Sequence, residues 1–310
     1  MTSSRASEAS GGGSAIEVLT PPALLGESPL WSPDEGVLYY CDIAGRALHR
    51  YRPADGSDQC WTFESEPACC ALAEGGGLLL ARRDGLWHFD PASGVSRRLA
   101  PPPYDPAVER FNDGRCDARG RWWIGTLYEP RQPPLAALYC FERGGLRRVQ
   151  GDVTVSNGLA FSPAGDTLYW ADTTSHTVFA LPCDGASGQL GVRRVLRRFE
   201  RRAADQPLGE YGGRPDGAAV DAGGAYWVAM YEGARLLRLS PDGQILSELR
   251  LPVQCPTMPC FGGADLRTLY ITTARLHRPP DELAHQPAAG CVLAVRVDVP
   301  GLPPSRVVWC

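Results

Sequence analysis

Short apolar runs rich in Leu, Val, Tyr and Trp recur along the whole chain, separated by Ser32-Pro33-Asp34, Asp55-Gly56, Asp90-Pro91, Pro163-Ala164-Gly165 and Pro241-Asp242-Gly243. Pro, Gly and Asp favour turn dihedrals and interrupt a strand ladder, so this punctuation predicts many short strands joined by tight turns. Long helical periodicity is missing. One phrase returns six times: Val37-Leu38-Tyr39, Leu78-Leu79-Leu80, Trp122-Trp123-Ile124, Thr167-Leu168-Tyr169, Tyr226-Trp227-Val228 and Leu269-Tyr270-Ile271. A second alternating run comes after it, as at 47–51, 86–89, 137–141, 178–181 and 236–239. Repeats of roughly 40 to 60 residues match a four-stranded propeller blade. The expected fold is therefore all-β, a six-bladed β-propeller with four-stranded antiparallel blades. A two-sheet sandwich also has regularly spaced short strands, but it repeats single strands and not a whole phrase.

Residues 15–310 are expected to form a single propeller domain. Residues 16–19 precede the first full unit and are expected to pair with strands near the C-terminus, closing the ring and removing an exposed edge. Residues 1–14, small and polar, read as a disordered tail. The charged, glycine-bearing stretch 197–213 falls in the longest interval and reads as a loop insertion on one rim.

Within this register a polar residue recurs at one place. Glu27, Asn112, Asn157 and Asp216 each stand eleven residues before Leu38, Trp123, Leu168 and Trp227. The innermost strand of each blade lines the central channel, so equivalent positions in different repeats face a common axis. Taken singly, Asn157-Gly158, Asp216-Gly217 and Asn112-Asp113-Gly114 are turn signals and Glu27 a loop carboxylate. A turn residue, however, need not hold one offset in four repeats, so the shared register favours a site. The equivalent positions in the second and sixth units are Ala68 and Met258, which supply no ligand and are expected to leave that side open for a small molecule. Arg110 lies two before Asn112, on the same face of an extended strand.

Two carboxylates and an amide oxygen form an all-oxygen donor set suited to a hard divalent cation: Ca²⁺, Mg²⁺ or Mn²⁺, with Zn²⁺ also compatible. The five histidines, His49, His88, His176, His277 and His285, miss the repeating offset and read as surface or packing residues. Segments for a serine nucleophile elbow, a phosphate loop or a dinucleotide turn are not visible.

Composition narrows the partners. A formal net charge of −4 gives no basic surface for nucleic acid or an anionic membrane. Apolar runs stay short of the roughly 20 residues of a membrane helix. Eleven cysteines, an odd number, with no secretion signal ahead of them, read as structural thiols in a reducing cytoplasm. The absence of lysine points to a GC-rich bacterial coding sequence.

The segments Gly26-Glu27-Ser28-Pro29-Leu30-Trp31, Arg110-Phe111-Asn112-Asp113-Gly114-Arg115, Ser156-Asn157-Gly158-Leu159 and Pro215-Asp216-Gly217 resemble, in order, the signatures of the regucalcin/gluconolactonase (senescence marker protein) family. The resemblance runs from about residue 16 to the C-terminal region, including 260–263 and 286–290. It implies a propeller with one divalent metal that hydrolyses a sugar lactone to the aldonic acid. Glu27, Asn157 and Asp216 match the metal ligands, Asp216 also the catalytic acid/base, and Arg110 and Asn112 the residues that hold the sugar. One departure stands out: some relatives place a substrate-contacting glutamate where this chain has Pro130, beside Glu129. The rival readings are a related propeller esterase or phosphotriesterase, and a non-catalytic calcium-binding propeller. A monomer or weak homo-oligomer is expected.

Overall fold

The computed structural model describes residues 15–309. The expected tail at 1–14 lies outside them. Six four-stranded antiparallel sheets account for nearly all regular structure, and five of them pair their strands in consecutive order. Blade 1 runs Gly26–Ser32, Val37–Asp42, Ala47–Arg52 and Ser57–Thr62, and blades 2 to 5 repeat that order. Their innermost strands are Pro67–Leu72, Glu109–Cys116, Ser156–Phe161 and Arg214–Val220. Blade 6 is composite. Pro256–Gly262, Thr268–Thr273 and Leu293–Arg296 come from the end of the chain, and Glu17–Val18 adds the outermost strand. Glu17 pairs with Ala294 and Val18 with Leu293, so the ring closes as the sequence led one to expect.

The repeated phrase proves to lie on the second strand of each blade, which is fully buried in blades 1 and 2 and all but its last residue in blade 3. Each sheet packs on a neighbour through both faces, and strands covered on both sides read as near-continuous apolar runs. The outermost strands, such as Ser57–Thr62, are mostly exposed and carry few buried side chains. The core is accordingly a ring of interblade clusters. Trp123, Leu138, Leu159 and Trp170 fill the seam between blades 3 and 4, and Trp31, Leu38, Tyr40 and Tyr270 that between blades 1 and 6.

The stretch 197–213 is a loop only in part. Arg197 and Arg198 end the outer strand Arg194–Arg198 of blade 4, and a short 3-10 turn, Leu208–Glu210, interrupts the connection to blade 5. Alternation is weak there because an exposed outer strand needs few apolar side chains.

Candidate active site

The innermost strands pack side by side around the axis. Each is broken by a β-bulge at the same place: after Glu27, after Phe111, after Asn157 and after Pro215, with counterparts after Pro67 and Pro256. A bulge adds a residue to one strand and re-aims the side chains beside it. The Asn-Gly and Asp-Gly pairs are thus not hairpin turns but the bulges themselves. Gly158 takes φ +62°, and a Cβ there would lie 2.3 Å from the Tyr226 hydroxyl, so the position requires glycine.

The bulges bring the four register residues together. The Asn112 amide Nδ2 donates to the Asn157 Oδ1 at 2.9 Å and to the Ser156 carbonyl at 3.0 Å. Asn157 Nδ2 donates to Asp216 Oδ1 and, at 2.9 Å, to the Thr173 hydroxyl, which itself donates to the Pro215 carbonyl at 2.8 Å. Arg110 Nη1 donates to Asn112 Oδ1 at 2.8 Å and to the Phe111 carbonyl at 2.8 Å. Glu27, from the facing blade, is buried with a single donor, the Ser28 amide at 3.3 Å.

Charge is poorly balanced here. Burial, then repulsion from Asp216 and Asp113, holds the Glu27 carboxyl well above its usual range. Burial pushes Asp216 up to about 8, with Arg214 opposing and Asp113 reinforcing the shift. Asp113, at the neighbouring bulge position, rises to about 6 through burial, and one of its oxygens has no partner. Its other oxygen accepts the Leu159 amide at 2.7 Å. Two buried carboxylates short of donors, facing one another's field, form a place where a cation relieves an electrostatic cost. Glu27, Asp216 and the second lone pair of the Asn157 amide oxygen supply oxygen donors of the type a hard cation takes. Among the described residues no group of three or more His, Cys, Asp or Glu is placed to hold a metal ion by itself.

These residues floor a cleft of about 740 Å³ at the end of the axis where the innermost strands begin. Its walls come from the hairpins between second and third strands and include Arg131, Thr173, His176, Tyr231 and Arg278. Two expectations need correction. Met258 and Ala68 do not line the cleft: Met258 is buried against the neighbouring innermost strand, where a Cβ on Gly217 would stand 2.4 Å from the Met258 Cβ. The open volume lies above the floor instead. His176 and His277 line the cleft, unlike His49, His88 and His285, because hairpin tips converge on the axis whatever their place in the strand register. Glu129 is ion-paired with Arg83 at 2.6 Å and lies outside the cleft wall.

Several positioning residues escaped the sequence reading. Asp42 accepts the amides of Leu24, Leu25 and Gly45 at 2.8 to 2.9 Å, fixing the chain just ahead of Glu27. Asp172 does the same before Asn157, accepting Thr154, Val155 and Ser175 at 3.1 to 3.2 Å. Both stand fifteen residues after the residue they position, a signal that was available. Below the floor, Arg115 donates to the Leu159 carbonyl at 3.0 Å and the Ala218 carbonyl at 2.7 Å, tying three innermost strands together.

Residues 25–275 match the family described as the SMP-30/Gluconolactonase/LRE-like region. The chain belongs to the SMP-30/gluconolactonase family. It is 47% identical over 285 residues to a 6-deoxy-6-sulfogluconolactonase of Pseudomonas putida, covering 92% of this chain and 95% of that one. It is 32% identical over 289 residues to the regucalcin of Oryctolagus cuniculus, covering 90% and 93%. Among solved structures, a calcium-binding regucalcin of Agrobacterium tumefaciens superposes with TM-score 0.87 at 28% identity, covering 94% of this chain and 97% of that one. For this member of the SMP-30/gluconolactonase family the match contains every residue of the cleft floor.

Proposed function

We propose that the protein is a lactonase that opens a sugar lactone to its aldonic acid with the help of one divalent cation held by Glu27, Asn157 and Asp216. The observation that carries this reading is the pair of buried, donor-poor carboxylates from blades 1 and 5 at the floor of a sugar-sized cleft. Membership of the SMP-30/gluconolactonase family and the activity named for the P. putida relative support it.

A divalent cation held there supplies Lewis-acid polarisation of the lactone carbonyl. Asp216 has one oxygen engaged by Asn157, which leaves Oδ2 to accept the proton of the attacking water and return it to the ring oxygen as that bond breaks. Asn157, locked between Asn112, Thr173 and Asp216, holds that carboxylate in one rotamer. Arg110 uses Nη1 within the protein, so Nε and Nη2 remain to orient sugar hydroxyls or the carbonyl beside Asn112.

A reducing cytoplasmic setting fits the ten cysteines among the described residues, all free. No described helix is long and apolar enough to cross a membrane. The deciding experiment uses metal-stripped protein with Ca²⁺, Mg²⁺, Mn²⁺ or Zn²⁺ restored singly, assayed against pentono- and hexonolactones, aryl esters and organophosphates. Spontaneous opening is subtracted. Cation-dependent turnover highest on aldonolactones is expected; highest turnover on aryl esters or organophosphates would replace the reading with esterase or phosphotriesterase activity.

A further inference from the structure

The cleft wall carries more positive charge than its floor and a cation account for. Four arginines line it, Arg110, Arg131, Arg214 and Arg278, against Glu27, Asp216 and Glu232. Glu232 is already shared: Arg214 reaches one of its oxygens at 2.6 Å and Arg278 the other at 2.8 Å. Arg278 also grips Glu282 at 2.6 Å, so its charge is met twice. With Glu27 and Asp216 answered by a divalent cation, Arg110 and Arg131 are left over, and among the described residues neither forms an ion pair.

Arg131 is the more telling of the two. It sits one residue after Pro130 in the connection between the second and third strands of blade 3, exposed at the cleft mouth. Its backbone adopts φ +68°, a conformation that a non-glycine residue holds only when the surroundings impose it, and its amide donates to the Tyr128 carbonyl at 3.1 Å. The loop thereby turns a guanidinium with no protein hydrogen-bond partner among the described residues over the cleft. Across from it, Arg214 is fixed by Glu232 and lies over the Tyr231 ring, 4.9 Å from its centroid. Arg131 and Arg214 are near enough to oppose each other's charge, as are Arg131 and Arg110. Glu129, Asp172 and Asp216 offset part of the Arg131 charge, but none is within ion-pair distance of it, and unpaired guanidinium groups in a concave site offer forked donors to the oxygens of an anion.

We propose that this wall is an oxyanion subsite: Arg131, with Arg214 opposite, holds a sulfonate or phosphate group on the substrate carbon farthest from the lactone carbonyl. The subsite rests on the proposed function for its sugar and for the cation that answers Glu27 and Asp216, while the unpaired Arg131 guanidinium stands without either. A neutral lactone would leave the Arg131 fork unmet, whereas a substituent bearing three oxygens meets it with charge-assisted hydrogen bonds. Discrimination therefore lies in binding, and appears in KM more than in kcat.

The test compares kcat/KM of the cation-loaded, full-length enzyme for glucono-1,5-lactone, its 6-deoxy-6-sulfo derivative and its 6-phosphate. At least a tenfold preference for one or both anions over the neutral lactone is expected, weakening as salt is raised. Arg131→Ala should shrink that ratio at least tenfold, and Arg131→Lys should restore part of it. Preference for the sulfonate alone, or the phosphate alone, identifies the source of the oxyanion. Equal use of neutral and anionic lactones by the wild type, or the same ratio in Arg131→Ala, overturns the subsite.

A second readout needs no turnover. Calorimetric titration with 6-phosphogluconate and with gluconate should show tighter binding of the phosphorylated acid, lost in Arg131→Ala. That result without lactone hydrolysis keeps the subsite and ends the lactonase reading. Hydrolysis of the neutral lactone with no anion preference does the reverse.

Discussion

In the proposed mechanism Asp216 is a ligand, a base and a buried charge at once. Replacing it with Asn keeps the shape and removes the base, so kcat should fall by about 10² to 10⁴-fold, the usual contribution of a positioned general base. Folding should survive, because the amide can keep a hydrogen bond with Asn157. Near wild-type turnover by the variant would remove Asp216 from the chemistry. Its protonation also sets a pH dependence. Asp216 near 8 and Asp113 near 6 both lie above the ordinary carboxylate value of about 3.9, so the native state binds these protons more tightly than the unfolded chain. Their stabilisation is complete below about pH 4 and is lost as pH rises through about 6 and then 8. In chelator-treated protein, Tm should decline more steeply between those values in the wild type than in Asp216→Asn. Added cation should restore most at the alkaline end, where it no longer competes with a proton. Parallel Tm curves for the two proteins would show that Asp216 does not titrate in this range.

Among elements, the bulged innermost strand is the unit that makes the site. Glu27, Asn112, Asn157 and Asp216 were legible because a bulge repeated at one strand position preserves a constant offset. Their supports were harder to read. Asp42 and Asp172 sit at hairpins, where an aspartate is expected for turn chemistry alone, and the same offset falls on Leu127 and Tyr231 in blades 3 and 5. Arg131 and His176 belong to hairpin tips, which obey no period, so nothing in the pattern could bring them to the cleft. The aspartate clamps have a measurable consequence. Asp172→Ala strips the acceptor from the amides of Thr154, Val155 and Ser175, each unsatisfied group costing about 1 to 3 kcal/mol where water cannot replace the bond. Denaturant titration should report that loss, together with weaker cation affinity through a displaced Asn157. Gly158→Ala should be worse at the site, since a positive φ and the Tyr226 hydroxyl both oppose a side chain there. Unaltered cation affinity in both variants would show that the floor does not depend on these strand geometries.

At the scale of the molecule the six repeats identified the architecture, since only a closed ring of sheets buries both faces of so many second strands. What the pattern could not show was the depth of the channel. Met258 reads as open space because it cannot act as a hard-cation ligand, yet it is buried against Gly217 and takes no part in the cleft. The ring also has one non-covalent seam, where Glu17–Val18 meets Leu293–Arg296. Removing residues 1–19 would bare that strand edge, and a lower Tm with concentration-dependent light scattering is expected. A truncated protein with wild-type Tm and no scattering would mean that the seam contributes little to closure.

That seam lies only a few residues upstream of the proposed cation site. Leu24 and Leu25 are clamped by Asp42, and Leu25 also bridges to Ala274 of blade 6, so the segment entering Glu27 is shared between the first and last blades. Binding at the proposed cation site would therefore be expected to bear on the strand pairing that closes the ring. An ion that prefers the fastened form must tighten it, and amide exchange at residues 17 and 18 becomes a remote gauge of whether the hub is filled.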